Sequence, residues 1–398
     1  MSAAEARADV VVVGAGVIGT AIAYLLAKEG LEVCILEKES VGRGATGHGH
    51  GVISLVGRDF RPGPHFRLGV ASAAMYGEFA EQVLEDGGVD PLYHVLDGIS
   101  LALIEEEERI FRDFLAREEA RELLDLRWSG VEEIRALEPR ITEQAIGGVL
   151  HRHGQVDGYR LALGALAAVE RLGGRLVIGE ANGLILSGER AVGVTHTHGA
   201  IACGHVVVAS GAWIGAGMPW LGRRVPVRPL HGEVLHVELP GDPVRVFILT
   251  ARHGPILPRR DGLLMVGSIG GVTMSGMDVD AKHVFDPNDA TPVEFDEAPR
   301  QESLEFMIQQ AVRVMPAIAE ATLVAHLAGV RPLAADRMPL IGELSGREGV
   351  ILAAGHGTKG IHLAPVTARA VADLIVHGAS DPRFELDAFK PDRFLEAA

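Results

Sequence analysis

The chain has 398 residues, 47% of them hydrophobic, a net charge of −16 and no Lys/Arg cluster. That length points to two domains around a large core, and the acidic balance argues against nucleic acid or anionic lipid as a partner. Cys34 and Cys203 are the only cysteines, and both fall in apolar strand-like runs. Free buried thiols are therefore expected rather than a disulfide, and with no export signal a reducing cytoplasm fits.

The first informative stretch is Val10-Val11-Val12-Val13 followed by Gly14-Ala15-Gly16-Val17-Ile18-Gly19. Four consecutive valines suit a strand buried on both faces of a parallel sheet. The glycines have the spacing G-x-G-x-x-G. Gly14 permits the tight turn, Gly16 lets a phosphate approach the backbone, and Gly19 lets the helix pack close to the strand. The next strand, over 31–37, ends in Glu37, placed to hold the ribose hydroxyls of an adenine dinucleotide. A membrane span over 10–27 is the competing interpretation, since no residue there is charged. The three glycines, the lack of a basic segment before it and the placed acid all argue against that span.

Residues 38–51 are too glycine-rich for a helix and leave the second strand where a dinucleotide should lie. Leu68, Ala71, Met75, Phe79 and Val83 recur at helical spacing. A strand follows at 98–104 and a helix around 110–124, the run Glu105 to Glu108 reading as its solvated start. Asp157 is an expected N-cap for an apolar helix reaching Leu172. A strand at 175–178 and a hairpin over 183–197 come next. Val206 to Trp213 repeats the theme of a buried strand ending in small residues. From Val225 the texture turns to proline-rich strands, with Asp261-Gly262 as a hairpin turn. Residues 273–300 look like a long surface loop and 301–315 a helix. A buried strand at 350–354, the turn Gly355 to Gly360 and a helix over 361–377, with Pro365 near its first turn, close the chain. The nucleotide domain is thus expected to be discontinuous.

Taken in order, these residues resemble the FAD-dependent amino acid oxidoreductases of the D-amino acid oxidase superfamily, most closely the glycine oxidase and sarcosine oxidase branch. The likeness rests on Gly14 to Gly19, Glu37, the loop near Thr46, Val156-Asp157, Val208 to Trp213, Pro229 to Gly232, Ala328-Gly329-Val330-Arg331-Pro332 and Gly355 to Gly360. It implies an α/β plus α+β architecture: a Rossmann-type FAD-binding domain (1–90, 150–224 and 325–398) and a mainly antiparallel-sheet substrate domain (91–149 and 225–324). Expected cofactor contacts are Gly14, Gly16, Val17, Ile18, Gly19, Glu37 and Lys38, then Arg43, Ala45, Thr46, His48 and Gly49. Ala209, Gly211 and Trp213 follow, and last Gly357, Thr358, Lys359 and Gly360.

Arg331 matches the arginine that grips the substrate carboxylate in glycine oxidase-like enzymes, a bidentate role suited to a guanidinium. The context Ala-Gly-Val-Arg-Pro favours that role over a structural ion pair. Lys359 matches the carboxylate-binding lysine of sarcosine oxidases, or is a solvated surface lysine; the residues do not choose between these. His356 and His231 are candidates for the flavin site or packed turn residues. The helix after Lys359 would offer its N-terminus to the charge on reduced flavin.

Departures from the family pattern also matter. Pro255 stands where glycine oxidases carry a tyrosine, and Thr358 where they carry an arginine, so glycine itself is in doubt as substrate. No cysteine lies near Arg331, and Gly47 and Gly49 fit poorly around His48 as a flavin-linking histidine, so noncovalent FAD is expected. The pairs His48/His50 and His196/His198 lack a companion ligand set, and no metal is expected.

The resemblance implies oxidation of the C–N bond of a small amino acid or N-substituted amino acid by hydride transfer to flavin N5. The resulting imine hydrolyses to a 2-oxo acid, and oxygen reoxidises the flavin with release of hydrogen peroxide. Positioning and a dry pocket suffice, so no acid-base residue is assigned. Three alternatives stand beside it: a dehydrogenase passing electrons to a quinone or partner subunit, oxidation of a 2-hydroxy acid, and structural binding of FAD. No membrane span is expected. A homo-oligomer and a subunit of a heteromeric dehydrogenase both remain open.

Overall fold

The computed structural model describes residues 6–56, 60–215, 218–269, 285–288 and 294–394. The elements that position the site are, in chain order, β1 (Val10–Val13), α1 (Val17–Lys28), β2 (Val33–Glu37), β3 (Val52–Ile53), α2 (Pro64–Gly87), β4 (His94–Ala102), β5 (Gly147–Gln155), α3 (Gly158–Arg171) and β6 (Arg175–Ile178). They continue with β7 (His205–Val208), β8 (Val227–Glu238), β9 (Phe247–Thr250), β10 (Ile256–Pro258), β11 (Leu264–Ile269), α4 (Gln301–Val314), β12 (Thr322–Ala334), β13 (Arg347–Ala354) and α5 (Gly360–His377).

The first sheet has a parallel centre in the order β13-β7-β1-β2-β6. The valines of β1 are all buried, because both faces of this sheet are covered. On one face α1, α3 and α5 build the largest core, with Ile22, Leu26, Val169, Leu363 and Val371 inside it. On the other, Val11, Val13, Val206 and Val208 meet the antiparallel strands of 181–202 and Met218 and Leu221.

The second sheet runs β12-β8-β11-β10-β9-β4-β5-β3 and is antiparallel except where β9 meets β4. One face packs on α4, with Ile99, Val237, Val266 and Met307 at its centre. The other carries Val234, Phe247, Leu257 and Met265. This is the expected class: a Rossmann-type parallel sheet with helices beside a mainly antiparallel sheet.

Four local readings need correction or a limit. The helix expected around 110–124 is two short helices, Glu105–Leu115 and Glu118–Leu123. The acidic run is not wholly solvated: Glu107 is buried, and its Oε2 accepts the Leu103 N–H at 2.8 Å, satisfying a donor ahead of the first turn. Pro365 lies inside α5 rather than at its start. The loop expected over 273–300 falls mostly outside the described residues. No helix among those described is long and apolar enough to cross a membrane.

Candidate active site

A cleft of about 1990 Å³, counting its open mouth, runs between the two sheets. Its lining reaches from Glu37 in the first sheet to Arg331 in the second, so it suits an elongated ligand. Its floor is set by topology. Val13, Leu36 and Glu37, Gly179, Ala209, and Ala353 and Ala354 all line it. These mark the carboxyl ends of all five parallel strands, where such sheets bind ligands.

At one end the turn after β1 has the tight turn and close helix packing that its spacing predicts. Gly14 has φ +107, which favours glycine, and a methyl there would meet the Ala209 carbonyl. A methyl on Gly19 would overlap the Gly14 carbonyl oxygen, so α1 seats close to β1 only with glycine there. Gly16, Val17 and Ile18 line the cleft, while Gly19 does not. The Val17 N–H is already taken: it donates to Thr46 Oγ1 at 3.0 Å. Thr46 thus caps α1 from the following loop, a role sequence reading did not foresee. Glu37 accepts the Ala15 N–H at 2.8 Å through Oε2 and the Glu39 N–H at 2.9 Å through Oε1. Two backbone donors therefore fix the acid in place at the cleft wall.

The loop 38–51 lies along the cleft. Lys38, Arg43, Ala45, Thr46 and Gly49 all line it, as do Gly211 and Trp213 opposite. Trp213 stacks on Phe295 with ring centroids 5.4 Å apart. His48 turns away from this wall. Its Nδ1 bonds the Gly44 carbonyl at 3.0 Å, and its side chain rests over Gly329.

The far end is formed by β9, β11 and β12 of the second sheet and by the turn before α5. Arg331, Ser268, Phe247, Leu249, Pro255 and His50 lie there with His356, Gly357, Thr358, Lys359 and Gly360. The Arg331 guanidinium donates to the His231 carbonyl at 3.3 Å and to Ser268 Oγ at 3.4 Å. Lys359 is 8% exposed, and its ammonium sits 5.0 Å from the Phe60 ring centroid. It is not a solvated surface lysine. His356 is also buried, with Nε2 3.1 Å from Thr367 Oγ1, and burial lowers its pKa to about 3. His231 stays off the cleft wall, its Nε2 bonded to Glu233 at 2.8 Å.

His50, considered from sequence only as half of a histidine pair, proves to be a wall residue. Its Nε2 lies 2.8 Å from the Gly267 carbonyl. Burial, with Arg331, His236 and Lys359 nearby, lowers its pKa to about 4. The available signal was Gly267, an isolated glycine inside a strand pattern, which marks a bulge or a close backbone approach. Among the described residues no cluster of three His, Cys, Asp or Glu could hold a metal.

The site has the parts a flavin dinucleotide needs: a glycine turn at a helix N-terminus, a fixed carboxylate, and a second helix N-terminus at the opposite end. Comparison with known proteins agrees. A model of the family described as DAO, FAD dependent oxidoreductase, matches residues 9–374. Glycine oxidase of Pseudomonas aeruginosa is 31% identical over 375 residues, covering 92% of this chain and 94% of that protein. Glycine oxidase of Geobacillus kaustophilus is 29% identical over 392 residues and 98% of each chain. The crystal structure of the Geobacillus enzyme superposes with a TM-score of 0.85 over 98% of this chain and 99% of that one. By the match over most of its length, the chain belongs to the FAD dependent oxidoreductases of the DAO family.

Proposed function

We propose that the protein oxidises the C–N bond of a small amino acid or N-substituted amino acid to an imine that water hydrolyses to a 2-oxo acid. The observation that carries this reading is Arg331: a guanidinium on the cleft wall, tied to a carbonyl and a hydroxyl, beside a buried lysine. Two cations at one end of the chamber suit one carboxylate. Phe247, Leu249 and Pro255 supply the apolar side. That wall favours a hydrogen or small alkyl substituent over a charged one. The glycine oxidases to which the chain is similar act on an amino acid by name, which supports the same chemistry.

FAD, when bound, supplies the acceptor for the hydride that leaves the α-carbon. Gly14 to Ile18 and Glu37 would hold its adenosine half, and the turn 357–360 its ring end. The α5 N-terminus would place partial positive charge there. The binding is noncovalent in this reading: no cysteine lines the cleft, and His48 is occupied by Gly44 and Gly329. The protein's own work is to orient the carboxylate, present the α-carbon and exclude water.

The test is anaerobic reduction of the FAD-loaded protein by glycine, sarcosine, D-alanine, D-proline and an opine. Bleaching of the flavin by at least one of them, with the matching 2-oxo acid formed after turnover, is expected. Bleaching only by 2-hydroxy acids, or by none of these compounds, would overturn the assignment. Peroxide release in air then separates an oxidase from a dehydrogenase.

A further inference from the structure

Arg331 and His50 are anchored to adjacent residues of one irregularity. Strands β8 and β11 lose register between Glu233 and Leu235, so that Gly267 and Ser268 of β11 stand opposite Val234 alone. Gly267 has φ +71 and its N–H donates to the Pro255 carbonyl at 3.0 Å. This is a bulge with glycine in the left-handed region, a device that re-aims groups at a site. Ser268 then receives Arg331 Nη2, and the Gly267 carbonyl faces His50 Nε2.

That contact fixes the imidazole's tautomer. A carbonyl only accepts, so Nε2 carries the hydrogen, and in the neutral ring Nδ1 is an acceptor. Among the described residues Nδ1 has no hydrogen-bond partner, and the ring lines the cleft. Arg331, Lys359 and His236 act on the ring electrostatically. The cations among them disfavour an imidazolium and so preserve the acceptor.

The geometry points to His50 as the residue that receives the substrate's nitrogen, accepting a hydrogen bond from its N–H at Nδ1 while Arg331 holds the carboxylate. This rests on the amino acid reading of the site. An α-amino acid presents its carboxylate and its amine within one bond of the same carbon. Partners hung from consecutive residues of one bulge match that span. No proton is stored on the ring; the contact aims the nitrogen and excludes substrates without one. His50 is a specificity and positioning group for the amine.

The experiment compares an amino acid with the acid in which a methyl or methylene replaces its nitrogen, on the FAD-loaded protein without oxygen. The pairs are glycine with propionate and sarcosine with butanoate. Saturation of flavin reduction gives the affinity for the amine, and flavin spectral shifts give that for the isostere. In His50→Leu the preference for amine over isostere should fall about tenfold, the loss of one hydrogen bond. Isostere affinity should stay within twofold, and flavin content should be unchanged. His50→Gln, whose amide can donate to Gly267 and still accept, should restore most of the preference. A preference unaltered in His50→Leu overturns the proposal while leaving the function reading intact. If no carboxylate binds in an Arg331-dependent way, both fail.

Discussion

Gly232 has no side chain, and Arg331 uses the space. The two strands pair Gly232 with Gly329, so a glycine-floored groove crosses β8 and β12. A methyl on Gly232 would overlap the Arg331 guanidinium, and one on Gly329 would press on His48. The Pro229 to Gly232 motif therefore serves the arginine rather than a turn. Gly232→Ala should displace the guanidinium from the cleft wall without unfolding the sheet, since alanine is tolerated in a strand. We expect KM for the amino acid to rise at least about tenfold, the scale of one charge-assisted contact. The change in kcat should be smaller and flavin content unaltered. Steady-state kinetics with flavin absorbance as the occupancy control checks this. An unchanged KM would mean that Arg331 does not hold the substrate.

At the scale of elements, α5 shows how a helix carries a proline without breaking. Pro365 has no N–H, so the Ile361 carbonyl loses its partner four residues on. Tyr76 of α2 replaces that donor, with its hydroxyl 2.9 Å from Ile361 O, and Ser72 Oγ reaches the next carbonyl, His362 O, at 2.7 Å. Tyr76 is fully buried, so its hydroxyl has no water to fall back on. Tyr76→Phe should leave Ile361 O unsatisfied and cost about 1–3 kcal/mol, read as a lower Tm of the FAD-loaded protein. An unchanged Tm would show that the proline gap is filled some other way. The helix itself and its glycine turn were legible in the sequence, because both depend on neighbours along the chain. The gap and its filler were not, since Tyr76 meets Ile361 across 285 residues. His50 was missed for the same reason, with Gly267 lying 217 residues further on. The backbone of the turn after β1 was readable because its strand, three glycines and acid fall within one crossover, whereas its cap Thr46 comes from the next loop.

Across the whole molecule, histidines are buried in number, and their state sets the pH range of the fold. His65, His151 and His356 are each at most 5% exposed, with pKa values lowered by burial to about 3, about 4 and about 3. His153 is lowered as well, again by burial first, and both its ring nitrogens are sealed without a partner against Phe247. In the unfolded chain each would titrate near pH 6.5. Between that value and its folded pKa, each histidine binds a proton only when unfolded. Stability is therefore complete above about pH 6.5 and falls as pH drops toward 4, by about 1–1.5 kcal/mol per pH unit for each histidine. Most carboxylates do not yet titrate between pH 6.5 and 5, so the loss there belongs to the histidines. The Tm of the FAD-loaded protein should decline steadily from pH 7 to pH 5. His153→Phe should flatten that decline by one histidine's share and also remove two unsatisfied polar atoms, leaving the variant as stable as the parent at pH 7 or more so. A Tm that stays level from pH 7 to pH 5 would mean that these imidazoles take up protons in the folded chain, and that the chamber behind Phe247 is wet enough to let them.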